Sequence, residues 1–237
     1  MKRANPPAFA ILGLCIMAAL ASAQAVKRDY WPTREWKTDR PENHGLAPAP
    51  LLELERAIEK ELIYSALLIK DGFIVFEYYK GNLDRNSKFV LFSCTKSVTS
   101  ALIGIAIDKG LIKGVDQKIS DFFPSLTKPD VDERKKRITL RHLLTMTSGL
   151  ALADRPYYLA MTTSNDWVEY ALTRPMKDDP GNQFTYSTGV SHLLSAIVQK
   201  VSGTDTLRFA SKNLFAPIYS APEGYTRKTT LTNRDFS

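Results

Sequence analysis

The sequence predicts an α/β fold in which a β-hairpin comes early in the chain and most of the helices follow it. Asp71-Gly72 lies between two runs of β-forming residues, Ser65–Lys70 and Phe73–Tyr79. An Asp-Gly pair in that setting is a strong hairpin signal. Helices are predicted on both sides of the hairpin, because apolar residues recur there at helical spacing. We therefore expect a hairpin combined with several helices.

Five segments carry the helical pattern. Each has apolar residues three or four apart, and most have a cap or a terminating glycine or proline at an end. Thr139 is the expected cap of the third helix, and Gly110 is expected to end the second. Between these two helices, Val115–Pro124 is expected to form a loop with short turns that packs a few apolar residues. The predicted helices span 51–62, 93–109, 138–148, 166–172 and 190–201.

The first residues are typical of a secretory signal peptide. Basic residues precede an apolar run, Ala8–Leu20, and small residues follow at 21–23. The run is too short to span a bilayer comfortably, and Cys15 lacks the small preceding residue of a lipoprotein. We therefore expect a signal peptide over residues 1–23, export to the periplasm or the exterior, and no stable membrane anchor.

Composition excludes several kinds of site. Cys94 is the only cysteine left once the leader is removed, so no internal disulfide or thiolate metal cluster is expected. The three histidines show no metal-ligand spacing, and neither a metal nor a cofactor is expected. The net charge of +7 falls to +5 without the two leader cations. Arg134–Arg137 has no interleaved aromatic residues, so nucleic-acid binding is not expected, and a surface interaction module built on this cluster is a weaker alternative.

Ser93 and Lys96 are the candidate nucleophile and base. Residues three apart on a helix share a face, so the hydroxyl and the amine can meet. A serine is a poor nucleophile until its proton is removed, and an amine removes it only when burial or nearby positive charge lowers the amine's pKa. Since apolar residues line this helix, Lys96 is expected to be the cation on its buried side. An N-cap serine beside a solvated lysine is the alternative.

Three segments together resemble the serine β-lactamase-like superfamily: Phe92–Ser97, Leu140–Leu150 and Pro180–Ser187. That superfamily includes class C β-lactamases, penicillin-binding D-alanyl-D-alanine peptidases, esterases and aminohexanoate-oligomer hydrolases. The resemblance covers about 51–217 and implies a β-lactamase-like antiparallel sheet flanked by helices, with a helical subdomain. Met146 stands where many members carry histidine, which favours the oligomer-hydrolase and esterase branch.

The resemblance implies roles for four residues. Ser93 would be the acyl-accepting nucleophile, Lys96 its proton acceptor, and Tyr186 the phenol that passes the proton to the leaving group. A phenol ionises at about pH 10 when unperturbed, so a nearby ammonium helps it to act. Thr188 holds the asparagine position of the family's Tyr-x-Asn pattern and is expected to bind substrate. A threonine lacks the amide that orients a substrate carbonyl, which weakens the case for a lactam.

Three residues near these motifs have other interpretations. Tyr186 could be a core tyrosine with a satisfied hydroxyl. His142 resembles a triad histidine, but the chain has no Gly-x-Ser-x-Gly elbow, so a structural role is expected. Cys94 follows the nucleophile but points about 100° away on a helix, and it is expected to pack.

The family's third motif, Lys-Thr-Gly or His-x-Gly on a late strand, is not found in the sequence. The resemblance implies that this strand supplies one of two oxyanion donors, and losing such a donor costs about 10² to 10³ in rate. We therefore expect a chain without its C-terminal strands, poorly active and poorly stable. Its expected organisation is an extended arm over 24–50, a partial domain over 51–217 and a non-matching tail over 218–237.

The sequence thus predicts an exported serine hydrolase that transfers an acyl group from a small amide or ester substrate to Ser93 and then to water. The alternative is a truncated, inactive relative that acts as a binding or regulatory protein. The sequence does not fix the substrate or the oligomeric state.

Overall fold

The computed structural model describes residue 32 and residues 35–218, without the side chains of 154–156. These residues divide into two compact units, one up to Ser87 and one from Lys88. The predicted signal peptide, part of the predicted arm and the predicted tail beyond Ile218 lie outside the described residues. Within the part that is described, no helix is long and apolar enough to cross a membrane.

The first unit is built around the predicted hairpin. Helix α1 (Pro48–Glu59) precedes strands β1 (Ser65–Lys70) and β2 (Phe73–Tyr79), which pair antiparallel with an irregularity between Leu68 and Ile69. Both strands have the predicted bounds, because the two residues of the turn take the left-handed backbone that a tight hairpin needs, with φ of 53° and 89°. Helix α1 begins three residues earlier than predicted, since proline is favoured in a first turn.

The described part of the predicted arm is more ordered than an extended segment. Pro41–His44 forms a 3₁₀ turn, and Thr38 bridges to Ile74 of β2. The imidazole of His44 has a side chain only 8% exposed, and its two nitrogens each lie 3.1 Å from a carboxylate oxygen, one of Asp39 and one of Asp71. These contacts tie this segment to the hairpin turn, so the described part of the predicted arm is not simply extended.

The second unit holds the remaining described helices and a single apolar core. A π-helical turn over Ser211–Phe215 precedes its last helix. Short 3₁₀ turns at Ile119–Asp121 and Pro124–Thr127 lie in or next to the loop predicted over Val115–Pro124, and a third follows at Lys135–Arg137. The helices are α2 (Cys94–Asp108), α3 (Leu140–Leu144), α4 (Asp154–Thr162), α5 (Trp167–Thr173), α6 (Thr188–Ser202), α7 (Thr206–Ala210) and α8 (Ala216–Ile218).

Helix α6 is the centre of this unit, with α2, α3, α4, α5 and α7 packed against it. Leu193 and Ile197 of α6 and Leu102 and Ile103 of α2 are almost completely buried in the shared core. Each buried aliphatic side chain stabilises the fold by about 1.5–3 kcal/mol. Because this packing fixes α2 and α6 relative to each other, it also fixes the residues that precede their first turns.

Four helices of this unit differ from the prediction. Helix α3 ends at Leu144 rather than near Ser148, and α4, α7 and the three-residue α8 were not predicted. Helix α4 contains Pro156, and a proline in a sequence usually argues against a helix. Pro156 falls in the first turn of α4, where helices tolerate proline. Helix α7 has only five residues, too few for a periodic pattern, although Asp205 caps it by accepting from the Arg208 N–H at 2.9 Å.

Gly149 lies where two backbone segments meet, and we expect Gly149→Ala to destabilise the protein. Its φ is +78°, and a Cβ there would collide with the carbonyl of Asp178. The Gly149 carbonyl also accepts N–H groups from Lys177 and Asp178 at 2.8 and 3.2 Å, so the two segments cannot easily separate. Backbone strain and overpacking together predict a loss of about 3 kcal/mol in the free energy of unfolding, measured in urea.

Gly104→Ala is the matched control, because a Cβ at this exposed position in α2 meets no atom within 4 Å. It should raise the free energy of unfolding by about 0.5–1 kcal/mol. Equal urea midpoints for Gly149→Ala and the unsubstituted protein would contradict the packing described here.

Candidate active site

Ser93 lies at the N-cap of α2, on a turn that is held by the first turn of the helix. Leu91 and Phe92 accept hydrogen bonds through their carbonyls, from the N–H groups of Cys94 and Thr95 at 3.1 Å. Phe92 has a φ of +45°, an uncommon conformation for an aromatic residue that costs about 1–3 kcal/mol. The side chain of Ser93 is therefore presented to solvent on a backbone that the helix keeps in place.

Lys96 and Tyr186 both form a hydrogen bond to the Ser93 hydroxyl oxygen. Lys96 Nζ donates to Ser93 Oγ at 3.1 Å, and the Tyr186 hydroxyl donates to the same oxygen at 2.7 Å. Lys96 Nζ also lies 5.3 Å from the centroid of the Tyr186 ring. Distances of about 2.6–3.2 Å allow direct proton transfer. The structure thus brings together three of the four predicted site residues.

Tyr186 is held from both sides along the chain. The Thr185 N–H donates to the Met146 carbonyl at 2.9 Å, and the Ser187 hydroxyl caps α6 by accepting from the Val190 N–H at 3.2 Å. Tyr186 itself is 41% exposed, so the interpretation as a core tyrosine is wrong. Its ring stands between two anchored neighbours, which fixes where the hydroxyl can lie.

The central motif, Leu140–Leu150, supports the loop that leads to Tyr186. Besides the Met146 carbonyl, the Thr147 carbonyl accepts from the Gly181 N–H at 2.8 Å. Met146 has a φ of +55°, which turns this short segment. Sequence reasoning missed this supporting role, because a left-handed backbone is signalled by glycine or asparagine and not by methionine.

The remaining predicted residues lie as follows. Thr188 is the first residue of α6 and is only 7% exposed, whereas Ser93 is exposed. The part of Thr188 in substrate binding stays a prediction. Lys96 is half-buried rather than on the buried face. Cys94 is exposed, so the expectation that it packs is wrong. The buried side of α2 starts at Thr95, and neighbouring helical residues point about 100° apart.

The four cations of the basic cluster, Arg134–Arg137, each have a partner in the fold. Lys135 is buried, and its ammonium donates to the Leu172 carbonyl at 2.7 Å; burial lowers its pKa. Hydrogen bonds from Arg134 lower the pKa of Asp132 to about 2. Lys136 forms an ion pair with Glu133, and Arg137 forms one with Asp179. A surface module built on this cluster is therefore not favoured.

No group of three or more histidine, cysteine, aspartate or glutamate side chains is arranged to hold a metal ion in the described ranges.

The beta-lactamase family model matches residues 55–229 of this chain. The acyltransferase mokF of Monascus pilosus is 27% identical over an alignment 148 residues long, and the match covers 54% of this chain and 35% of mokF. The chain therefore spans about a third of this relative.

Solved structures show the same fold. A D-stereospecific amidohydrolase from a Streptomyces species superposes with a TM-score of 0.56 and 18% identity, over 73% of this chain and 54% of that one. EstCE1, a hydrolase with promiscuous acyltransferase activity, superposes with a TM-score of 0.58 and 21% identity, over 72% and 51%. These structures confirm the predicted α/β fold, and the chain spans about half of each.

Proposed function

The chain belongs to the beta-lactamase family, and from this premise we propose that it is a serine hydrolase that carries an acyl group on Ser93. The observation that supports the proposal most strongly is the Ser93 hydroxyl itself, which receives hydrogen bonds from Lys96 at 3.1 Å and from Tyr186 at 2.7 Å. A nucleophile in contact with two proton-transfer groups is the arrangement that acyl transfer requires. The inactive binding protein is not favoured, because all three groups are present and in contact.

In the first step, Ser93 Oγ attacks the carbonyl carbon of an amide or ester. In this step Lys96 acts as the neutral amine: the Ser93 proton passes to Lys96 Nζ as the new C–O bond forms, which leaves an ammonium. Because the Tyr186 hydroxyl lies 2.7 Å from Ser93 Oγ, an atom bonded to the attacked carbon would come within its reach, and Tyr186 would protonate the leaving nitrogen or oxygen as that bond breaks. Tyr186 then recovers a proton from Lys96, which leaves an acyl group on Ser93 and both partners as they began.

In the second step, water attacks the acyl carbon and loses a proton to the same pair of groups. Ser93 Oγ leaves and takes that proton back, and the carboxylic acid is released. An alcohol can replace water in this step, which would transfer the acyl group to the alcohol. The name of mokF, an acyltransferase, favours this second candidate reaction.

We expect the purified protein to release p-nitrophenol from a short-chain p-nitrophenyl ester and to open a chromogenic cephalosporin much more slowly. The reason is Thr188, which lacks the amide group that would orient a lactam. Adding a simple alcohol as acceptor separates hydrolysis from acyl transfer, because only the latter yields a new ester. Failure to turn over any ester or amide would contradict the proposed function, and equal rates on the lactam would contradict the role of Thr188.

Export is part of the same proposal and is supported by the sequence of residues 1–23. The exported form would begin at Gln24, and a mature protein that retains Met1 would contradict this.

A further inference from the structure

His142, in the first turn of α3, caps this helix through one ring nitrogen. The Thr139 N–H donates to His142 Nδ1 at 3.1 Å, and the Thr139 hydroxyl lies 3.2 Å from the same nitrogen. A nitrogen that accepts from an N–H must carry a lone pair, so the ring is neutral with its hydrogen on Nε2. A proton added to Nδ1 would place two donors against each other and break this cap.

The other edge of the His142 ring faces the loop that leads to Tyr186. A Cβ on Gly181 would lie 3.4 Å from Nε2, so the ring and the Gly181 backbone are adjacent. The same histidine also supports Gly181 through the main chain. Its carbonyl accepts from the Thr147 N–H at 2.8 Å, and the Thr147 carbonyl accepts from the Gly181 N–H at 2.8 Å. His142 therefore supports the start of this loop in two ways.

The end of the loop is attached to the same support. Thr185 donates its N–H to the Met146 carbonyl at 2.9 Å, and Met146 donates its own N–H to the carbonyl of Leu143 in α3 at 3.2 Å. Both ends of loop 181–185 are thus bonded to residues that follow α3 directly. A continuous series of backbone hydrogen bonds therefore connects α3 to Gly181 and to Thr185, the residue before Tyr186.

We propose that His142 is a positioning residue for the acyl transfer: its neutral ring keeps α3 and loop 181–185 where the Tyr186 hydroxyl meets Ser93. This inference rests on the proposed function. Protonation of the ring releases the cap and lets Tyr186 leave Ser93 Oγ, so turnover falls in mild acid.

The charged groups near the His142 ring are consistent with protonation of the ring in mild acid. Arg141 is next to His142 on α3 and binds Asp116 through two bonds, of 2.8 and 3.0 Å. Loop 181–185 contributes no charged side chain. Burial lowers the pKa of His142 most, Arg141 lowers it further, and Asp116 raises it. The ring therefore gains its proton only in more acidic solution than an ordinary imidazole, whose pKa is about 6.5.

The kinetic test compares two substitutions in the full chain with a p-nitrophenyl ester as substrate. His142→Gln keeps an acceptor of the kind that caps a helix from this position, but it does not titrate. It should retain kcat at pH 7 within about threefold and lose the fall of kcat below pH 6.5. His142→Leu removes the acceptor and should lower kcat by about 10- to 100-fold at neutral pH with KM nearly unchanged, as expected for a misplaced group.

A second measurement does not depend on turnover. In protein with ¹³C-labelled tyrosine rings, the Tyr186 signal, assigned with Tyr186→Phe, should shift as His142 titrates. The shift should vanish in His142→Gln. It should persist in His192→Gln, which removes another imidazole whose pKa burial lowers, on α6.

A Tyr186 signal that does not respond below pH 6.5, or that responds equally in His142→Gln, would overturn the positioning role. If no ester is hydrolysed at all, the proposed function fails, while the Tyr186 signal still decides whether His142 controls this side chain.

Discussion

Ser93→Ala is expected to lower kcat/KM for an ester by about 10⁴-fold or more, because the substitution removes the oxygen on which the acyl intermediate is proposed to form. The substitution removes one oxygen from an exposed turn, so the fold should be unaffected. Lys96 and Tyr186 lose their shared partner and cannot restore the covalent route. The loss is measured from initial rates of p-nitrophenol release at low substrate concentration.

Cys94→Ala is the matched control for this loss. Its thiol is exposed and directly follows Ser93, so it is the obvious competing nucleophile. We expect Cys94→Ala to retain the rate within about twofold, since surface substitutions of this kind change little. A variant pair with the opposite pattern, active Ser93→Ala and inactive Cys94→Ala, would transfer the chemistry to the thiol.

Lys96→Ala and Tyr186→Phe should each lower kcat by about 10² to 10⁴, and the double variant should be little worse than the slower single variant. Both groups bind the Ser93 oxygen, with donor distances of 3.1 and 2.7 Å, and Lys96 Nζ lies 5.3 Å from the centroid of the Tyr186 ring. Groups that pass one proton along a single route fail together when either is removed.

Tyr158→Phe controls for the loss of any exposed phenol, since Tyr158 is an exposed tyrosine of α4, and it should leave kcat unchanged. Single losses that multiply in the double variant would show that the two groups act independently, which would contradict the proposed proton route.

The local parts of this fold were predictable because their signals are local. The hairpin follows from one Asp-Gly pair between two β-rich runs, and both strands have the predicted bounds. The long helices α2 and α6 follow from apolar residues repeated over several turns. The short helices lack such a repeat and form because tertiary packing supports them. This is why α4 and α7 escaped prediction.

The candidate site was predictable in two different ways. The contact between Ser93 and Lys96 follows from helical spacing alone. Tyr186 lies 93 residues from Ser93 in the chain, and no local rule brings it there. Only the resemblance of three motifs to one family placed it in the site. The exposure of Cys94 depends on which face of α2 is buried, and this is set by packing against α6.

The support beneath Tyr186 was beyond sequence reasoning for a physical reason. It consists mainly of backbone hydrogen bonds to Met146 and Thr147, and a backbone carbonyl has no residue type that would signal its use. The ring of His142 was expected to be structural, but its contact with Gly181 becomes visible only when the loop is in place.

The central claim is that Ser93 carries the acyl group, and peptide mass spectrometry after reaction with a fluorophosphonate tests it most directly. The full chain should gain one phosphonyl adduct, found on the peptide that contains Ser93 and located at that residue by fragmentation. Ser93→Ala should gain none, and Cys94→Ala should gain the same adduct as the unsubstituted protein. An adduct located on another residue, or one that forms equally in Ser93→Ala, would contradict the account.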